Sequence, residues 1–193
     1  MTRVFSIASA IVVIFAWLGV SLSGQTQSGT NAPAFSGDNE LTKPENYREW
    51  IWLSSGLGMA YGPSARSATD PPFDNVFVKP EAYRSFLQSG TWPDKTVLVL
   101  ELRSSLSNGS INQQGHFQGN LIDIEVEVKD ESRFPGKWAF YGFGNSSSAK
   151  PFPATATCYS CHSQNGAVDN TFVQFYPTLL EIAKQKGTLK SPQ

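Results

Sequence analysis

The 193-residue chain is 40% hydrophobic and 16% charged, with 15 basic against 16 acidic residues and a net charge of −1. That length suits a single hydrophobic core, and the even charge balance lacks the basic excess of a nucleic-acid-binding protein, so no nucleic-acid partner is expected. Thirteen Phe, six Tyr and five Trp are too much buriable surface for a disordered chain, and two Cys are too few for a disulfide framework.

The chain opens with Arg3 and an apolar run from Val4 to Leu22, followed by the small residues Ser21-Leu22-Ser23-Gly24. A positive start, an apolar centre and a small-residue end are the layout of a secretory signal, with cleavage expected near Ser23 or Gly24. The alternative is an uncleaved membrane anchor, since the run approaches the ~20 residues that span a bilayer. Either way the expected location is periplasmic or otherwise extracytoplasmic. Residues 24–37, dominated by Gln, Ser, Thr, Gly, Asn and Ala, read as a flexible tether, and residues 38–193 as one folded domain.

Within the domain, Thr42-Lys43-Pro44-Glu45 looks like a helix start, and Tyr47, Trp50 and Ile51 fall at helical spacing. Gly56 to Pro72 is a long irregular loop. Asn75 to Val78 forms a short strand, Pro80 opens a helix from Glu81 to Gln88, and Gly90 ends it. Thr96 to Arg103 is a strand with Leu98, Leu100 and Leu102 on one face and Val97, Val99 and Glu101 on the other. Leu121 to Lys129 alternates likewise. Ile122, Ile124, Val126 and Val128 face one way, while Asp123, Glu125, Glu127 and Lys129 form a row expected to be solvated. Lys137 to Gly144 is an aromatic strand. Near the C-terminus, Phe172, Phe175, Tyr176, Leu179, Leu180 and Ala183 follow helical spacing, with Pro177 kinking or restarting the helix. Strands flanked by helices without βαβ alternation predict an α+β fold, a mainly antiparallel sheet with helices packed to one side.

Cys158-Tyr159-Ser160-Cys161-His162 is C-x-x-C-H, the attachment signature of a c-type haem. Two thiols three positions apart can each form a thioether with a haem vinyl group, and His162 is then placed as the proximal iron ligand. A redox dithiol would need a βαβ context, and a zinc site would need a fourth ligand, for which His116 is the candidate. Beyond the signal segment, Met59 and His116 are the remaining side chains of the type that fills the sixth position in electron-transfer cytochromes. Both are read as bystanders, so the iron is expected to be five-coordinate with one face open to small molecules.

Six blocks in order resemble the cytochrome P460 family. They are Asn46-Tyr47-Arg48-Glu49-Trp50; Val76 to Pro80 with Tyr83; Thr96-Val97 through Glu101-Leu102; Val128-Lys129-Asp130 with Arg133-Phe134; Trp138-Ala139-Phe140-Tyr141; and the haem motif followed by Asp169, Phe172 and Phe175-Tyr176-Pro177. The family includes hydroxylamine-oxidising cytochromes and the gas-binding cytochromes c′-beta. The resemblance implies a mainly antiparallel β fold with a haem-binding C-terminal segment, a homodimer, and one covalently attached haem c with a single His ligand. Leu98, Leu100, Phe140 and Phe152 are the candidates to line an apolar distal pocket beside Cys158, Cys161 and His162, with Phe152 able to cap the iron. Arg48 is a candidate for a haem propionate, with an ordinary salt bridge as its alternative. Such a pocket suits NO or CO, and a redox partner protein would follow from the cofactor.

The chain departs from the hydroxylamine-oxidising members at one position. Those members carry, immediately before the Glu of the strand matching residues 96–102, a Lys joined to the haem edge; here that residue is Leu100. In some members an acid precedes the haem motif, whereas residues 151–157 contain no ionisable side chain. The resemblance therefore implies gas binding of the cytochrome c′-beta kind. A hydroxylamine or nitric oxide oxidoreductase and a six-coordinate electron carrier are the alternatives.

Overall fold

The computed structural model describes residues 32–59 and 70–190. The expected signal, most of the tether and the middle of the 56–72 loop lie outside the described residues. Eight strands and three helices appear in the order β1 (Phe35–Ser36), β2 (Glu40–Thr42), β3 (Ile51–Leu57), β4 (Phe73–Val78), α1 (Pro80–Ser89), β5 (Val97–Leu106), β6 (Phe117–Lys129), β7 (Trp138–Gly142), β8 (Ser148–Ala149), α2 (Thr157–Asn165) and α3 (Pro177–Lys186). Strands β3 to β7 form a five-stranded sheet in sequence order, and β1-β2-β8 form a smaller one. All pairings are antiparallel, and the fold is α+β.

Both faces of the large sheet are covered. On one, Val97, Val99, Ile124, Val126, Val128 and Tyr141 pack with Leu41 of β2 and with Tyr47. On the other, Val78, Leu98 and Phe140 pack with Phe86 of α1 and Leu179 and Ala183 of α3. The strands therefore bury side chains at successive positions, as the four consecutive buried residues Trp138 to Tyr141 show.

Two elements differ from the sequence expectation. The helix expected after Pro44 is a single 3-10 turn, Tyr47–Glu49, and Ile51 onward is strand. Ser54, Ser55 and Gly56 are poor helix formers, and pairing with β4 satisfies this backbone instead. Phe35 and Ser36, expected in the tether, pair with Leu41 and Glu40, and the Phe35 ring meets Phe134 edge-on at 6.1 Å. Strands β4 to β7 and helices α1 and α3 overlap the segments expected for them, whereas β2, β8 and α2 carry no such expectation. Pro80 and Pro177 stand in the first turns of α1 and α3, and Gly90 closes α1 at φ +75, a backbone angle at which a Cβ is strained.

Glu101 is buried on the small-sheet side at 1% exposure. Its carboxylate accepts hydrogen bonds from Tyr47, Arg48, Asn75 and Arg103. Arg48 thus makes a salt bridge on the sheet face opposite the one described below. Burial works to raise the Glu101 pKa, but the hydrogen bonds from Arg103 and Tyr47 and the two guanidinium charges outweigh it and hold it below 4.5. A carboxyl depressed on folding stabilises above its unfolded pKa, and that stability is lost as pH falls through the folded value. Glu101→Gln should therefore lower stability at pH 7 by about 1–3 kcal/mol and flatten the loss of stability below pH 4.5, measured by urea unfolding across pH.

Candidate functional site

Thr157 to Asn165 form a nine-residue helix, α2. Cys158 and Cys161 are three residues apart and His162 is four from Cys158, so all three share one face. Both thiols are free and partly buried. The helix was not foreseen from periodicity, because its Ser, Thr and Gln residues carry no apolar stripe. Phe140 packs against it, touching the Tyr159 ring edge-on at 4.9 Å.

His162 is fixed on every side. Phe140 and Phe172 flank its ring at 4.4 and 4.5 Å between centroids. Nδ1 lies 2.9 Å from the carbonyl oxygen of Asn170. A carbonyl only accepts, so Nδ1 carries the hydrogen and Nε2 is left with its lone pair. Burial holds the imidazole below its ordinary pKa, more strongly than the Asn170 hydrogen bond raises it. The ring is thus neutral at pH 7 and offers a metal-binding nitrogen.

The Asn170 carbonyl is presented by a tight turn. Val168 and Thr171 form an antiparallel bridge, the Thr171 amide donates to the Val168 carbonyl at 2.8 Å, and Asp169 and Asn170 between them both have left-handed φ of +51 and +63. Two consecutive positive φ values suit the Asp-Asn pair, whose short polar side chains tolerate that region. Gly166 lets this turn lie against the end of α2. A Cβ there would stand 2.6 Å from the His162 carbonyl oxygen and 2.7 Å from the Asn170 carbonyl carbon.

Opposite α2, the sheet face forms the floor of a cavity of about 510 Å³, within the ~300–1,000 Å³ usual for cofactor and ligand sites. Register sets its rows. Leu98 pairs with Val78 and Glu127, Leu100 with Val76 and Glu125, and Leu102 with Asp74 and Asp123. Leu98, Leu100, Leu102, Val76, Asp74, Glu125 and Glu127 all line the cavity, together with Cys158, Cys161 and His162. Phe172, Phe175 and Tyr176 complete a wall that sequence reasoning did not assign to the site; their membership in the block after the haem motif was the available signal.

The acidic row corrects two expectations. Glu125 and Glu127 do not face solvent, because α2 and the residues after it lie over that side of β6. The cavity is also not wholly apolar. Burial pushes the Asp74 carboxyl up to about 6 and Glu127 to about 8, and burial with the neighbouring charges of Asp123, Glu127 and Asp74 raises Glu125. Glu127 Oε2 is sealed from solvent, lies 3.6 Å from His162 Nδ1 and has no hydrogen-bond partner among the described residues. The ionisable groups absent from residues 151–157 are supplied by β4 and β6.

The other expected site residues fall as follows. Leu98 and Leu100 reach the cavity floor. Phe140 does not line the cavity but backs His162. Phe152 stands outside the lining, with its ring against Gly142 at the β7 end of the Leu100–Glu125 row, and its half-exposed position follows from that glycine leaving room for it. Met59 does line the cavity, with its sulfur close over Gly56. His116 is exposed just before β6 and outside the lining.

These residues fit a covalently held haem: two free thiols and a neutral imidazole with its second nitrogen committed elsewhere share one wall of a cavity of suitable size. A sequence profile described as Cytochrome P460 matches residues 44–173, which include all three. No protein of curated function matches the chain significantly.

Two outcomes follow from this geometry. Gly166→Ala should lower stability by about 1–3 kcal/mol, because backbone rather than a flexible side chain occupies the space, and thermal unfolding reads it. For Asp74, a carboxyl raised on folding favours the folded state at low pH, and that contribution is lost as pH rises from 3.8 through about 6. Asp74→Asn should therefore stabilise the haem-free chain at pH 7 and give no gain at pH 3.5, by denaturant titration at the two pH values.

Proposed function

The chain belongs to the cytochrome P460 family, and from that premise we propose that it is an exported c-type cytochrome carrying one haem. In this reading His162 would be the one protein ligand to the iron, which would be left able to bind a small neutral molecule such as NO or CO. One observation carries it: Cys158, Cys161 and His162 line the same cavity, with His162 Nδ1 held by Asn170 and Nε2 left for the metal. Each thiol would add across a vinyl group, sulfur to one carbon and hydrogen to the other. When bound, the haem supplies an iron site for small ligands and one-electron redox chemistry.

The chain's own residues do the rest. Phe140 and Phe172 fix the plane of the imidazole. Leu98, Leu100, Leu102 and Val76 supply the apolar part of the floor, and burial favours the neutral forms of the Asp74, Glu125 and Glu127 carboxyls beside them, a lining that favours neutral diatomic ligands over charged ones. Export rests on the N-terminal signal, and a homodimer and a redox partner protein rest on the family resemblance.

A second reading, an oxidoreductase acting on hydroxylamine or nitric oxide, is favoured by Asp74 and Glu125. Burial raises both carboxyls, and a carboxyl raised in this way can hold or pass a proton at a bound substrate. Against it stands Leu100, which pairs directly with Glu125 and has no nucleophile with which to bond to the haem edge. An electron-carrier reading draws on Met59 at the cavity wall.

Protein made with haem-maturation machinery should gain the mass of one haem, show a five-coordinate high-spin ferric spectrum, and bind NO when reduced. Met59→Ala should leave that spectrum unchanged, and hydroxylamine turnover with an artificial acceptor should be negligible. Two free thiols in that protein would overturn the haem assignment. A low-spin spectrum lost in Met59→Ala would establish the carrier. Steady hydroxylamine turnover that falls at least tenfold in Glu125→Gln would establish the oxidoreductase.

A further inference from the structure

The turn that holds His162 is itself held by an ion pair between a buried lysine and a carboxylate that is 25% exposed. Lys129, at the end of β6, is 6% exposed. Its ammonium donates to the Trp92 carbonyl at 2.7 Å and to the carboxylate of Asp169, and Glu131 adds a third, half-exposed contact at 3.5 Å. Asp169 immediately precedes Asn170, whose carbonyl takes the His162 hydrogen bond. From the other end of the turn, Trp92 Nε1 donates to Thr171 Oγ1 at 2.8 Å, and that hydroxyl donates to the Val168 carbonyl at 2.7 Å. The Trp92 indole therefore braces the Thr171 end of the four-residue turn, the Trp92 carbonyl holds the Lys129 ammonium, and Lys129 ties Asp169 to the sheet.

Stability alone gives little reason to bury the Lys129 ammonium in this place. Desolvating an ammonium and a carboxylate costs about as much as their attraction returns, and a well-packed apolar pair would hold a loop as well. What the pair adds is direction. It pins the turn whose Asn170 carbonyl faces the imidazole to β6, a strand remote in the chain from α2. The strength of the Nδ1–H···O bond sets the electron density at Nε2, since an outer partner that accepts strongly makes a ligating histidine more basic. We propose that Lys129 and Asp169 are positioning residues that set the donor strength of His162 toward iron, acting through the Asn170 carbonyl. This rests on the haem reading above.

Asp169→Asn keeps a residue that tolerates the left-handed conformation and removes the charge. Lys129→Met removes the other partner, and the double variant removes both, so that no lone charge stays buried. In the haem-loaded protein all three should retain the covalent haem while the ferrous iron–histidine stretching frequency shifts down and the midpoint potential shifts up. The exposed Glu181→Gln, whose carboxylate pairs only with Lys184 among the described residues, should move neither. A lowered unfolding temperature with unchanged frequency and potential in the double variant would overturn the proposal and leave the pair merely structural. Wild-type protein without covalent haem would overturn the haem reading itself, an outcome visible before any variant is compared.

Discussion

The site depends on the pairing register of β4, β5 and β6. Side chains alternate across a strand, so a slip of one residue would exchange the cavity floor with the opposite core. With Leu100 opposite Val76 and Glu125, one face presents leucines and carboxylates to α2. The other presents Val97, Val99, Val126 and Val128 to β2 and Tyr47. Glu101 belongs to the second face, and its ring of Tyr47, Arg48, Asn75 and Arg103 ties β5 to β4 and to the turn before β3. In the shifted register that carboxylate would sit beneath α2, away from Tyr47 and Arg48, with Arg103 carried along on the same face of β5.

The two kinds of buried carboxyl in this chain meet opposite conditions. Glu101 is surrounded by donors, and its charged form is favoured despite burial. Asp74, Glu125 and Glu127 share a cavity with one another, and their neutral forms are favoured. A fold selected for stability alone would not gather three such groups around leucines. Perturbed acids beside a helix that carries a C-x-x-C-H motif are the arrangement expected of a functional cavity. They also change the character of the pocket from a dry apolar slot to one with protons available at its floor.

The proximal side shows a chain of local devices. The Cys and His spacing sets one face of α2. Gly166 admits the Val168–Thr171 turn against its end, and two left-handed residues aim the Asn170 carbonyl at Nδ1. Aromatic rings on both sides then leave the imidazole a single orientation. Each device is short-range in sequence except the aromatic ring of Phe140 and the Lys129 tie, which come from the sheet.

Much of this was readable in one dimension. C-x-x-C-H states its chemistry through spacing alone, proline and glycine mark the limits of α1 and the start of α3, and period-two alternation gives β5 and β6 two distinct faces. Alternation names the faces, but it does not say which is covered, because the cover comes from α1, α2 and α3, the last of which begins 71 residues after β5 ends. The acidic row of β6 therefore reads as solvated until α2 is placed above it. The segment after Pro44 reads as helix until β4 is placed beside it. Residue type and spacing determined the C-x-x-C-H face of α2 and the alternation of the strands; non-local packing decided what lines the cavity, since burial is a property of neighbours that sequence order does not supply.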